Sequence, residues 1–170
     1  MKHSPIVIRR TTESDWKELR AQRLEMLEDT PDAFGERLEA ALQHPETEWR
    51  MRAARGSSAS SIGLVALSGS TWVGTMGVYV PQFETEALLV GVYVSPRFRG
   101  AKAGVADALL EASENWARHR GTTLALHVHE DNGRARAYYA KRGFHETGQK
   151  IPYLLDAAQN ELVMVKSLSE

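Results

Sequence analysis

The chain has 170 residues, 42% hydrophobic and 25% charged, which suits one domain able to bury most of the surface its unfolded form exposes. Its 21 basic and 22 acidic side chains leave a formal charge of −1, which argues against a general nucleic-acid or membrane-surface binder while allowing a local basic pocket. Cysteine is absent, so disulfides, thiolate zinc sites and a cysteine nucleophile are excluded.

The opening segment, MKHSPIVIRRTTESDW, lacks the roughly 7–15-residue apolar core of a signal peptide, and no run approaches the ~20 apolar residues of a membrane helix. A soluble cytoplasmic protein is the expectation. Ile6-Val7-Ile8 reads as a strand. Thr12 and Ser14 offer N-caps for a helix reaching about Asp29, with Trp16, Leu19, Leu24 and Leu27 near a 3.6-residue period. Pro31 follows its end. A second helix is predicted over Phe34 to Leu42 and a third over Glu46 to Ala54, and Gly56 to Ser60 reads as a polar loop. The period then changes. Ile62 to Leu67, Trp72 to Val80 and Ala87 to Val94 are rich in β-branched and aromatic residues, and Ser68-Gly69-Ser70 makes a hairpin turn between the first two. A helix follows Gly104 to about Arg118, then a strand over Leu124 to His129 and a short helix over Gly133 to Arg142. Phe144 onward and Glu161 to Val165 are the last candidate strands. No repeat or linker interrupts the order, so residues 1–170 are expected to form one mixed α/β domain.

The segment PRFRGAKAGVADALL, Pro96 to Leu110, puts Arg97, Arg99, Lys102, Gly100 and Gly104 at the mouth of a helix. Unpaired backbone N–H groups and the helix dipole there favour an anion, and glycines admit it without a Cβ in the way. Neither familiar phosphate loop fits. Gly104 is followed by Val105-Ala106 where a Walker loop needs Lys-Ser/Thr, and nothing completes G-x-G-x-x-G. Taken alone, the stretch is equally well a glycine turn with solvated arginines.

Downstream, LHVHEDNGRARAYYAKRGF runs from Leu126 to Phe144. With VYVSPRFRGAKAGVADALL it resembles the GNAT superfamily of acetyl-CoA-dependent N-acetyltransferases. That family typically carries V-x-P-x-x-R-G-x-G-x-G/A followed by N-x-x-A-x-x-x-Y-x-x-x-G-F. Asn132, Ala135, Tyr139, Gly143 and Phe144 match the second motif; Pro96, Arg99, Gly100 and Gly104-Val105-Ala106 match the first, with two extra residues between the glycines. The motifs span about a third of the chain, residues 86–144, and the element order fits the family's layout beyond them. The bland alternative makes Tyr138, Tyr139 and Phe144 core aromatics and Asn132 a helix N-cap, a role that suits Asn132 whatever the function.

The resemblance implies a GNAT fold, with a mixed, mostly antiparallel sheet splayed at the acetyl-CoA site and flanked by helices. It implies that Val92, Tyr93 and Val94 bond the pantetheine arm, and that Arg99, Gly100, Ala101, Lys102, Ala103, Gly104, Val105 and Ala106 hold the pyrophosphate, with Asn132 and Tyr139 also at the cofactor. Acetyl transfer then needs an acid for the departing thiolate, and Tyr139 holds the family's position; Tyr138 should point elsewhere. A backbone N–H on the strand before Pro96 would polarise the thioester oxygen. Glu86 is a candidate base, with a solvated hairpin acid or a water chain as alternatives. His127 and His129 share a strand face but lack a third ligand, so no metal is expected and a place near the acceptor is the better reading. The acceptor would be an amine of a small molecule or peptide. Asp29, Asp32, Glu36, Glu39, Glu84 and Glu86 could wall a cationic one, or merely line solvated helix faces. Rivals are a non-catalytic acyl-CoA sensor and an acyltransferase with another acceptor; a homodimer is left open.

Overall fold

The computed structural model describes residues 4–169. One seven-stranded sheet carries the fold: β1 (Ile6–Arg10), β2 (Ser61–Ser68), β3 (Thr71–Tyr79), β4 (Ala87–Val94), β5 (Thr123–His129), β6 (His145–Tyr153) and β7 (Asp156–Ser167), in the spatial order β1-β2-β3-β4-β5-β7-β6. Every neighbouring pair is antiparallel except β4 and β5, joined by the crossover helix α4 (Val105–Arg118).

The two faces of the sheet are covered differently. Helix α4 lays Val105, Leu109, Leu110, Trp116 and Ala117 on one face, in a cluster with Leu64, Val73, Met76, Leu89, Leu124 and Leu126. Its apolar positions recur at helical spacing, so burying that stripe stabilises helix and sheet together. Ala87 and Leu89 of β4 point to this side, so Glu86, Leu88 and Val90 face the other. That second face is covered by α1 (Trp16–Asp29), α2 (Leu38–Leu42) and α3 (Glu46–Ala54), with Met26, Leu27, Phe34, Ala41, Trp49 and Tyr93 forming its own core.

The strand pattern and the helices α1, α3, α4 and α5 (Gly133–Ala140) agree with the sequence reading within a few residues. Three local expectations change. The second helix begins at Leu38, not Phe34, because Phe34 is extended (φ −131°, ψ 153°) with its ring in the second core. The polar loop at 56–60 begins as a 3-10 turn, with Gly56 packed so tightly that a Cβ would lie 2.2 Å from the Thr11 carbonyl oxygen. In α1 the buried positions are Gln22, Met26 and Leu27, whereas Trp16, Leu19 and Leu24 are only partly covered.

Candidate active site

The sheet opens between its two central strands. Backbone pairing of β4 with β5 is confined to Ala87↔Leu124, Leu88↔Ala125 and Leu89↔Leu126. Beyond that point neither Val90 to Val94 nor His127 to His129 has a partner across the gap, although each keeps its outer neighbour. The local cause is a bulge. Thr75 pairs with Tyr93 and Gly77 with Val90, so Gly91 and Val92 face the single residue Met76. Gly91 adopts φ +59°, natural for glycine, and its carbonyl accepts a hydrogen bond from the Thr75 hydroxyl at 3.0 Å. A bulge bends its strand and ends pairing, which leaves an unsatisfied edge able to receive an extended polar chain.

At the C-terminal end of this open edge, a 3-10 turn (Pro96–Phe98) leads into the loop before α4. Gly100 has φ +103° and Gly104, the N-cap of α4, has φ +66°. Nothing lies within 4 Å of a Cβ placed on either, so the backbone borders free space at the positive end of the helix dipole. Ala101 and Lys102 are exposed, Ala103 is half-buried and Val105 is buried under the sheet. Arg99 is also tied into the fold. Its guanidinium pairs with Asp29, donates to the Val94 carbonyl at 2.8 Å and stacks 5.5 Å from the Tyr93 ring. It clamps α1 to β4, and among the described residues neither Lys102 nor Arg97 has such a tether. Tyr93 points to the same place: its hydroxyl donates to Glu25 (3.0 Å) and Asp29 (3.1 Å), and burial with these acids pushes its pKa up.

Helix α5 starts where β5 ends, capped by the Asn132 side chain accepting from the Ala135 amide at 3.1 Å. Tyr139 packs edge-on against Phe144 (5.5 Å) and Tyr138 (5.3 Å) and is 6% exposed. Its ring belongs to the cluster that includes Val92, Val94, Leu126 and Val128, the residues flanking the opening. Among the described residues its hydroxyl has no hydrogen-bond partner, and burial raises its pKa, so it stays a proton donor at neutral pH. Tyr138 turns away: its hydroxyl donates to Asp107 at 2.9 Å, and Arg142, which also pairs with Asp107, lies 3.6 Å over its ring.

Glu86 sits on the α1–α3 face at the closed end of the β4–β5 pair, accepting from the Thr123 hydroxyl at 2.9 Å. Four residues of strand, roughly 13 Å, separate it from Val90 at the opening. His127 is exposed, whereas buried His129 bonds Gln159 and stacks edge-on with Tyr153. No group of three or more His, Asp or Glu able to hold a metal occurs among the described residues.

On the α1–α3 face a cleft of about 940 Å³ reaches the opening, bordered by Val90, Gly91 and Thr75 on the sheet and by Leu19, Gln22, Arg23 and Met26 of α1. Glu36 lies in its wall under three bases: Arg52 through both terminal nitrogens (3.0 Å each), Arg23 through Nε (2.9 Å) and His44 (2.6 Å). Burial alone would raise its pKa, but these hydrogen bonds outweigh it and hold the carboxyl at about 2. Three members of the acidic wall considered above have partners of their own: Glu36 is ion-paired to Arg52 and Arg23, Asp29 accepts from Arg99 and Tyr93, and Glu86 accepts from Thr123, while Asp32, Glu39 and Glu84 are exposed. Sequence patterning did not single out Gln22, Arg23 or the Gly91 bulge. A glutamine at a core position of α1 was the one available signal.

The acetyltransferase (GNAT) family model matches residues 22–144. No curated protein sequence matches the chain significantly. Similar solved structures include a GNAT-family acetyltransferase from Streptococcus pneumoniae, with 22% identity, TM-score 0.81 and coverage of 97% of this chain and 100% of that one. The PaiA N-acetyltransferase of Thermoplasma acidophilum, in complex with coenzyme A, shares 20% identity at TM-score 0.77, covering 96% and 99%. The yncA protein of Salmonella typhimurium, solved with its cofactor acetyl-CoA, shares 16% at TM-score 0.78, covering 98% and 96%. These likenesses establish a common fold, and the family model, spanning most of the chain, goes further: this protein belongs to the GNAT acetyltransferase family.

Proposed function

We infer that the protein is an acetyl-CoA-dependent N-acetyltransferase moving an acetyl group to a primary amine of a small molecule or peptide by direct transfer in a ternary complex. The observation that carries this reading is the ladder between β4 and β5, which stops at Leu89↔Leu126 and joins the two faces of the sheet through one opening. Two of the similar structures contain coenzyme A or acetyl-CoA, which supports the same ligand here. Acetyl-CoA supplies a thioester whose carbonyl carbon accepts the amine and whose sulfur departs.

The residues divide the remaining work by face. The free edge of Val92 to Val94 offers backbone groups to an amide-bearing arm, as an added strand would meet them. The turn from Gly100 to Ala106 offers helix N-terminal amides to a pyrophosphate, with the exposed Lys102 nearby. Tyr139, on the α4 side, holds a proton for the leaving sulfur. The amine enters from the α1–α3 side through the cleft, where Glu86 lies on the same face and would take its proton through intervening water. Acid and base thus work from opposite sides of the opening.

Thiol release from acetyl-CoA with a panel of primary amines, alcohols and no acceptor tests this. Amine-dependent turnover is expected; tight acetyl-CoA binding with no turnover on any acceptor would instead mark a sensor, and turnover on alcohols alone an O-acyltransferase.

A further inference from the structure

The acceptor cleft contains an unsatisfied pair of neighbours on α1. Gln22 is 3% exposed, yet neither its Oε1 nor its Nε2 has a hydrogen-bond partner. A buried carboxamide without partners is costly, and such groups persist where something else completes them. The next residue, Arg23, has a side chain only 22% exposed. It spends Nε on Glu36 and lies 5.1 Å over the Phe34 ring, which fixes the plane of its guanidinium. Among the described residues its two terminal nitrogens, with four N–H groups, have no hydrogen-bond partner.

The cleft wall holds Arg23, Arg52 and Arg55 against a single carboxylate, Glu36. Arg23 and Arg52 share Glu36 and Arg52 also pairs with Glu48, so these charges balance; what is left over is the hydrogen-bonding edge of Arg23 and the charge of the exposed Arg55. A cationic amine could donate to Gln22 Oε1 but would leave the guanidinium edge and Gln22 Nε2 unsatisfied. A carboxylate accepts from the guanidinium edge and from Gln22 Nε2 together, since a planar two-oxygen group matches a guanidinium edge and also accepts from an amide N–H.

We propose that the acceptor bears a carboxylate in addition to its amine, and that this carboxylate docks on Arg23 and Gln22 while the amine reaches the β4–β5 opening. The distances agree with one small molecule doing both. Met26 sulfur lies 4.0 Å from the Thr75 hydroxyl, which itself bonds Gly91 at the opening. Gln22 is one helical turn before Met26, so the anion subsite lies roughly 5–6 Å further along α1. The class is therefore amino acids and their short derivatives rather than polyamines. The amine's role rests on the acetyltransferase reading above; the carboxylate's rests on the cleft alone.

The test uses the full chain and matched acceptors: α- and ω-amino acids, their amides and the corresponding alkylamines, each followed by thiol release from acetyl-CoA and by thermal shift in the presence of CoA. Acids should exceed their amides in kcat/KM by about 10- to 100-fold, the range for charge-assisted hydrogen bonds. Arg23→Gln should erase that preference, mainly through KM. Gln22→Met, which keeps the side chain's length and removes both orphan atoms, should melt a few degrees higher while the preference falls several-fold, a pairing that a purely structural glutamine would not produce. Amides turned over as fast as acids, or a preference untouched in Gln22→Met, would overturn the carboxylate subsite and leave the transferase standing. Acids that stabilise the wild type but not Arg23→Gln, with no transfer to any amine, would support the subsite and overturn the transferase.

Discussion

Replacing Tyr139 by Phe removes one oxygen atom and nothing else. The ring keeps its edge contacts with Phe144 and Tyr138, and no hydrogen bond is lost because the hydroxyl makes none among the described residues. Stability should therefore change little, since the packing of the ring is retained. If that hydroxyl protonates the departing thiolate, turnover should fall by about 10²-fold, or about 2.7 kcal/mol of barrier. Tyr138→Phe should behave in the opposite way. It removes the 2.9 Å hydrogen bond to Asp107, costing about 1 kcal/mol, or 2–4 °C in a domain of this size, with little change in rate. Thiol release at saturating acetyl-CoA, under conditions where solvent-isotope and viscosity effects show that chemistry limits, measures the first quantity; calorimetric melting measures the second. Unaltered turnover in Tyr139→Phe would refute the acid assignment. So would equal losses of rate in both variants, which would point to packing of the aromatic pair instead.

Gly104→Glu should abolish CoA binding in calorimetry, because it puts a side chain and a negative charge into the free space at the start of α4, at a residue with φ +66°; unchanged affinity would remove the loop as the pyrophosphate site. Glu86→Gln keeps an oxygen to accept from Thr123 but cannot take a proton, so kcat/KM should fall by about 10²-fold with melting unchanged, while an unchanged rate would assign deprotonation to water alone. Glu36 has a folded-state pKa of about 2 against an ordinary 4.5, so its contribution to stability is fully present above pH ~4.5 and is lost as pH falls towards 2. The shift corresponds to about 3 kcal/mol, and Glu36→Gln should flatten the dependence of melting on pH within that window.

The sequence by itself determined the elements and their order, because hydrophobic period and turn chemistry are local. The strands from Ile62, Trp72 and Ala87, the crossover helix ending at Arg118, and the Asn132 cap all follow from neighbours within a few residues. The spacing of Asn132, Ala135, Tyr139 and Gly143-Phe144 also carried the family resemblance. What tertiary structure alone decided is which groups are spent and which are free. Arg99 reads as a phosphate ligand, and only the closed chain brings Asp29, 70 positions away, onto its guanidinium as well. Glu36 reads as a cation site until Arg52, His44 and Arg23 close on it. Gln22 reads as an ordinary helix residue until burial leaves its carboxamide without partners in the wall of a cleft. The splay depends on Gly91 being forced into a bulge by the registers of Thr75 and Gly77 on the adjacent strand. Even the placement of Phe34 rests on a hydrogen bond from Tyr153, 119 residues on. A local pattern records what a residue is able to do; the free energy of pairing and burial depends on partners that only the closed chain brings within reach.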